Sequence, residues 1–213
     1  VAASVQHAAI GISAHLGWAA ATTVALEGAE LRVLRSDRLE ISKPDDRAAR
    51  EPYHIAGGFD GLERVPRPPD PERVLRRGLE RQRRAAARAI AALAADLETL
   101  GYRLACSGLL VSRGRAAASV EQALASHTQI HIEEGIASRE SFRLALTQQG
   151  ARSVALDQKN LWSTASAALG RSEAALLSEL RSKRPENQGA WRKEEQSAAL
   201  AAWLAWIESF PEV

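Results

Sequence analysis

A single uninterrupted helical signal, running from Asp70 to Gly101, constrains this chain more than any other feature. Asp70 is a good N-cap, Pro71 suits the first helical position and Glu72 complements the positive end of the helix. Leu75, Leu79, Ala86, Ile90, Leu93, Leu97 and Leu100 then recur at spacings of three, four and seven, and Gly101 stops the run. A stripe of that length is stable only against another apolar surface, so the rest of the chain must supply a long one. Arg73, Arg76, Arg77, Arg81, Arg83, Arg84 and Arg88 fall largely off the stripe. They read as a solvated face, with a phosphate-binding surface as the alternative.

The first third of the chain supplies strands. Ala8 to Ser13 is a short apolar run, and Trp18 to Leu26 is apolar with Thr22, Thr23 and Val24, residue types that favour strand. Gly28 marks a turn before Leu31 to Leu34, and Arg38 to Ile41 alternates, either extending that strand or starting another. Residues 43–70 hold Pro44, Pro52, Pro66, Pro68, Pro69 and the Gly57-Gly58 pair, and are expected to be a long irregular connection. After the long helix, Arg103 to Val111 and Arg152 to Leu156 read as strands, with a turn expected at Arg113 to Arg115. Ser119 and Gln122 resemble a capping box for a helix carrying two histidines, Gly135 is expected to interrupt it, and Ser138 to cap a further helix reaching Gln149. Leu161 to Arg181 is helical with a break near Gly170, Lys183 to Gly189 is a polar loop, and a last helix runs from Lys193 to Ser209. The order strand, strand, strand, helix, strand, helix, strand, helix predicts one α/β domain over 1–213: a mixed sheet with three N-terminal antiparallel strands and helices packed on it.

Composition narrows the function classes. Hydrophobic content of 46% with 25% charged residues is that of a folded globular chain, not a disordered one. The net charge of +2 is too small to argue for a polyanionic partner by itself. One cysteine, Cys106, excludes an intrachain disulfide and any multi-cysteine zinc module, and fits a reducing cytoplasm. Val1 to Ile10 lacks the pattern of a signal peptide, and no apolar run is long enough to cross a membrane.

The titratable residues concentrate in Ser126 to Gly135. On a helix, His127, His131 and Glu134 stand at i, i+4 and i+7 on one face, with Val120 and Leu124 extending that stripe upstream. Two imidazoles one turn apart with a carboxylate as third ligand can hold one divalent metal ion and leave a position open for water, or can move protons without a metal. Thr128 to Glu133 also alternates; as a strand it would make Glu133 the companion of His127 and His131. The plainer reading is one hydrogen-bonded core histidine and one surface histidine. His54, beside Tyr53 in the 43–70 connection, is a candidate third imidazole, and His15 follows the first strand, while His7 reads as inert. Ser126 and His127 are helix neighbours pointing about 100° apart, which rules out a nucleophile and its base. Cys106 reads as packing. Trp191, Trp203 and Trp206 read as core or interface anchors, and Glu194 with Glu195 as complements to a helix dipole with metal support as the alternative.

The element order resembles the ribonuclease H-like superfamily, which includes the Holliday-junction resolvases and, more distantly, the actin-like ATPases. The ending Trp191 to Trp203 resembles the closing helix of the resolvase-type members, where an acidic residue leads into an alanine-rich helix and supports a metal. That resemblance implies carboxylates on the first and fourth strands. This chain has Gly11-Ile12-Ser13 and Cys106-Ser107 at those places, so the usual two-metal site cannot assemble. Ser13 to Gly17 is also too poor in glycine and acid to match the phosphate loop of the actin-like ATPases. A narrower resemblance rests on three phrases, Pro52-Tyr53-His54, the SHxxIHxxEG pattern of Ser126 to Gly135, and Trp191 to Leu204. It is to bacterial proteins with no activity to transfer, and implies only that the three segments belong together.

Two functions are therefore expected. One is a divergent hydrolase or nucleic-acid-processing enzyme in which His127, His131 and Glu134, joined by His54, bind a divalent metal or shuttle protons. The other is a non-catalytic ribonuclease H-like scaffold for a protein partner or a second copy of itself, suggested by the missing first-strand carboxylate and the tryptophan-rich last helix.

Overall fold

A computed structural model describes residues 5–28, 30–43, 45–112, 114–185 and 191–211. Strands β1 (Gln6–Ala14), β2 (Trp18–Glu27) and β3 (Glu30–Glu40) form an antiparallel meander, so Arg38 to Glu40 extends the third strand and does not open a fourth. Helix α3 (Pro71–Thr99) follows, N-capped by Asp70 through a bond from the Arg73 amide. Then come β6 (Tyr102–Val111), α5 (His127–Gln148), β7 (Arg152–Asp157), α6 (Leu161–Leu169), α7 (Glu173–Ser182) and α8 (Lys193–Ser209). Smaller elements are α1 (Arg47–Arg50), α2 (Pro52–Gly57), β4 (Phe59–Asp60), β5 (Glu63–Arg64) and α4 (Val120–Ala123). The five-stranded sheet has the order β3-β2-β1-β6-β7, with β1, β6 and β7 parallel to one another. The expected mixed sheet with three N-terminal antiparallel strands is the sheet observed.

The period of two along β1 divides its side chains between two cores. Ala8, Ile10 and Ile12 pack with Ile90 and Leu97 of α3 and Phe142 and Leu146 of α5. Ala9 faces the other way, with Cys106, Leu110, Leu176, Leu180 and the alanine-rich face of α8. The second layer is unusually close. A Cβ on Gly11 would lie 1.7 Å from the Ala198 carbonyl oxygen, and one on Gly108 2.1 Å from that of Ala201. Gly11 and Gly108 are paired across β1 and β6, so two bare backbone positions side by side let α8 rest directly on the sheet.

Three local expectations are corrected. Residues 43–70 are not an irregular connection: 47–57 fold into α1 and α2, and 59–64 into the β4–β5 hairpin. A Cβ on Gly78 would meet the Ala48 carbonyl oxygen at 2.4 Å and Pro52 Cβ at 2.7 Å, so the gap on α3 is what admits this segment. Helix α5 is continuous through Gly135 and Ser138, and Ser126 caps it by accepting from the Gln129 amide. Ser138 instead donates its hydroxyl to the His15 carbonyl, 2.9 Å away, and Ser119 caps only the one-turn α4. Val120 therefore belongs to a different helix from His127, although Leu124 packs with Ile130. Pro44 in the 43–70 stretch, Arg113 of the expected turn and much of the expected Lys183 to Gly189 loop lie outside the described residues.

Candidate metal centre

The centre lies where α2 meets the first turns of α5. Pro52 starts α2 at a position that needs no amide, but Glu51 at the N-cap makes no side-chain cap bond, leaving the first-turn amides of a six-residue helix without partners from their own segment. Glu134 of α5 supplies the acceptor. Its Oε1 receives the Tyr53 amide at 2.8 Å and the His54 amide at 3.1 Å. The same oxygen lies 3.3 Å from His54 Nδ1, an arrangement that assigns the proton to Nδ1 and leaves Nε2 as the lone-pair nitrogen. On the other side of α2, a Cβ on Gly57 would lie 2.5 Å from Ile130 Cδ1, so glycine lets the short helix settle against α5.

This docking brings His54 to the two histidines of α5. The ring centroids stand 5.2 Å apart for His54 and His127, 4.7 Å for His54 and His131, and 4.4 Å for His127 and His131, with each pair near perpendicular. One ring nitrogen from each of the three lies within 4.8 Å of the others. A tetrahedral zinc ion with Zn–N of about 2.0–2.1 Å sets its donors about 3.4 Å apart, a spacing that small rotations of three such rings can reach. His127 Nε2 and Glu134 Oε2 are buried polar atoms without a hydrogen-bond partner, the signature expected beside a bound ion or water. The His131 pKa is lowered by burial and by the neighbouring His54 and His127, which favours the neutral, ligating form. The Glu134 pKa is raised by burial, against the opposing pull of its bonds from His54 and Tyr53. Burial, with the charges of Glu133 and Glu134, pushes the Tyr53 phenol up to about 12, so it is a neutral hydroxyl at pH 7.

His127, His131 and Glu134 thus share one helical face and are joined by His54, but the nitrogen donors form the group and Glu134 bonds the back of one of them. Glu133, the companion in the strand alternative, points elsewhere: its Oε1 accepts from the Ala117 amide at 2.6 Å and from Gln129 at 2.8 Å. His15 closes the other side of a cavity of ≈ 210 Å³ lined by Ala14, Leu16, His131, Glu134 and Gly135. Its ring stacks on Trp18 at 4.2 Å, and its Nε2 stands 3.6 Å from Glu194 of α8. His7 stacks on Phe210 away from this group. Cys106 is buried, with burial pushing its thiol up to about 11. Trp203 and Trp206 are buried in the α8 core, and the Trp191 indole N–H donates to the Leu180 carbonyl at 2.8 Å.

No protein-family model and no curated protein matches the chain. Among solved structures, RuvC of Thermus thermophilus is similar over 96% of this chain and 95% of its own, with a TM-score of 0.50 and 11% sequence identity. The fold is ribonuclease H-like. A second structure of that protein, in complex with a Holliday junction substrate, aligns over 96% of this chain and 94% of its own with a TM-score of 0.48 and 11% identity. No helix among the described residues is long and apolar enough to cross a membrane.

The ribonuclease H-like resemblance implies acids on β1 and β6, and neither strand carries one. Ser13 is buried at the end of β1, and Ser107 is hydrogen-bonded to Ser153 at 2.8 Å. Sequence reasoning missed the anchoring of Glu134 to the amides of α2. The available signal was Pro52 directly after Glu51, a helix start inside what reads as a loop.

Proposed function

We propose that the protein is a single-metal hydrolase of ribonuclease H-like fold, its ion held by His54, His127 and His131, with Glu134 fixing the tautomer and direction of His54. The observation that carries this reading is the set of three imidazole nitrogens, drawn from two helices, within 4.8 Å of one another. Three neutral nitrogen donors suit zinc, nickel or copper and not the oxygen-seeking magnesium ion. Bound there, such an ion supplies Lewis acidity and makes water acidic enough to be a nucleophile at neutral pH. His131, the exposed member, leaves the group open toward solvent, and His15 across the cavity is placed to take or give a proton.

The test is elemental analysis of protein produced without a histidine tag, dialysed against zinc and separately against magnesium, for wild type and for His54→Ala, His127→Ala and His131→Ala. Near one equivalent of zinc in wild type, little in each variant and no retained magnesium is expected. An unchanged zinc content in all three variants sinks the assignment. Zinc-loaded protein is then screened against phosphodiesters, nucleic acid among them, phosphomonoesters and carboxylic esters. His15→Ala is expected to keep its zinc and lose turnover.

The neutral positions on β1 and β6 favour a second reading, a non-catalytic scaffold that binds a protein partner or a second copy of itself. Burial of Trp203 and Trp206 takes away the aromatic surface such docking would use. Sedimentation as a strict monomer, with zinc bound, counts against it.

A further inference from the structure

One i, i+4 row on α5 passes through the metal centre and continues beyond it: His127, His131, Gly135 and Arg139. Long helical side chains lean back over the preceding turn, and Arg139 does so. Its Nη1 lies 3.2 Å from where a Cβ on Gly135 would sit, so the glycine leaves the space that the guanidinium uses. Gly135 also borders the cavity of ≈ 210 Å³ shared by His131 and Glu134. Arg139 in turn lines a second space of ≈ 350 Å³, together with Ser112, the ion-paired Glu140 and Arg143, and the apolar Leu109, Val111 and Ala155.

Arg139 is half-buried and, among the described residues, has no carboxylate partner; its hydrogen bond goes to Ser112 Oγ at 3.3 Å. Arg143, one turn further on, shows the contrast, with both arms of its guanidinium on Glu140 at 2.7 and 2.6 Å. Burial without a compensating charge lowers the Arg139 pKa. A guanidinium half withdrawn from water and without a carboxylate partner is open to an anion, and its planar fork matches the oxygens of a phosphoryl group.

The geometry points to an oxyanion subsite in which Arg139, steadied by Ser112 and given room by Gly135, holds the phosphoryl group of a small phosphorylated molecule next to the glycine that borders the His131 cavity. The space that Arg139 lines, ≈ 350 Å³, is of small-ligand size, and its apolar wall suits the organic part of such a molecule better than a polyanionic backbone. Calling that molecule the substrate rests on the metal-hydrolase reading, whereas the subsite itself stands on Arg139.

The test is a titration of inorganic phosphate, followed by phosphorus NMR, into zinc-treated wild type, Arg139→Gln, Arg139→Lys and Gly135→Ala, with zinc content measured on the same samples. Arg139→Gln is expected to weaken phosphate binding about tenfold or more. Arg139→Lys keeps the charge but loses the fork, and should fall between. Gly135→Ala asks the guanidinium to give by only a few tenths of an ångström, so it should weaken phosphate binding less than Arg139→Gln, at unchanged zinc content. Equal phosphate binding in wild type and Arg139→Gln, or none in wild type, overturns the subsite. Binding of a single-stranded oligonucleotide through Arg139 without binding of inorganic phosphate overturns the small-molecule assignment. Stoichiometric zinc with Arg139-independent phosphate binding refutes the subsite alone; Arg139-dependent phosphate binding without zinc refutes the metal centre alone.

Discussion

Replacing Glu134 separates two tasks of one carboxylate. Its Oε1 takes the Tyr53 and His54 amides at 2.8 and 3.1 Å and faces His54 Nδ1 at 3.3 Å. Glu134→Ala removes the acceptor and leaves two first-turn amides of α2 without one. Each orphaned buried donor costs about 1–3 kcal/mol. The Tyr53 bond is only partly buried, which puts the pair near the low end, at about 3 kcal/mol. With a urea m-value of about 2–3 kcal/mol/M, the unfolding midpoint should fall by roughly 1–1.5 M. Glu134→Gln keeps a carbonyl oxygen in the same place, so its cost should stay below about 1 kcal/mol. It removes the negative charge behind His54, however, and a lost carboxylate partner typically lowers metal affinity about 10–100-fold. Urea titrations followed by far-ultraviolet circular dichroism, with chelator present to keep bound metal from masking the effect, measure the first quantity. Competition with a chromophoric chelator measures the second. If Glu134→Gln destabilises as much as Glu134→Ala, charge and not the acceptor holds α2. If Glu134→Gln binds zinc like wild type, Glu134 does not orient His54.

Three further outcomes follow from the packing. Gly108→Ala places a Cβ 2.1 Å from the Ala201 carbonyl oxygen and should cost about 3 kcal/mol, or roughly 6–12 °C in Tm; an unchanged thermal melt refutes the contact between α8 and the sheet. Ser126→Ala removes the cap from α5 and should cost about 1 kcal/mol in urea unfolding. The Cys106 thiol, pushed up to about 11, should resist a disulfide reagent at pH 8 until the chain unfolds. Its unfolded counterpart ionises near about 8.5, so between that pH and about 11 the unfolded state loses a proton that the folded state keeps. Stability should therefore fall as pH rises, by at most about 1.4 kcal/mol per pH unit, and Cys106→Ala should make the decline shallower.

The long elements were legible because each shows its own period without interference. The stripe of α3 as far as Leu97 and the apolar runs of β1 and β2 stand as their residues imply, Leu100 being an exposed C-cap, and His127, His131 and Glu134 share a face as helical spacing requires. The misreadings have one physical cause, partners far along the chain. Gly135 does not break α5, because an interior glycine costs only about 1 kcal/mol and the surrounding packing exceeds that. Ser138 has the makings of a cap but bonds the backbone of His15, 123 residues away. Prolines and glycines hid α2 because six residues form no stable helix alone. Its acceptor is a glutamate 80 residues later, and the notch that receives it is Gly78 on α3.

The two faces of the sheet differ in how much room they leave for titratable side chains. On the α8 face, Gly11 and Gly108 bring the alanine-rich helix into backbone contact, and that closeness excludes a side chain at either position. An aspartate at position 11 would need a Cβ 1.7 Å from the Ala198 oxygen, so placing an acid there would push α8 off the sheet. On the opposite side, α2 sits in the notch at Gly78 of α3 and meets α5 through Gly57, with His54, His127, His131 and Glu134 gathered where α2 and α5 meet. The same tight packing that seats α8 thus keeps side chains off positions 11 and 108, and the titratable side chains gather instead where α2 meets α5.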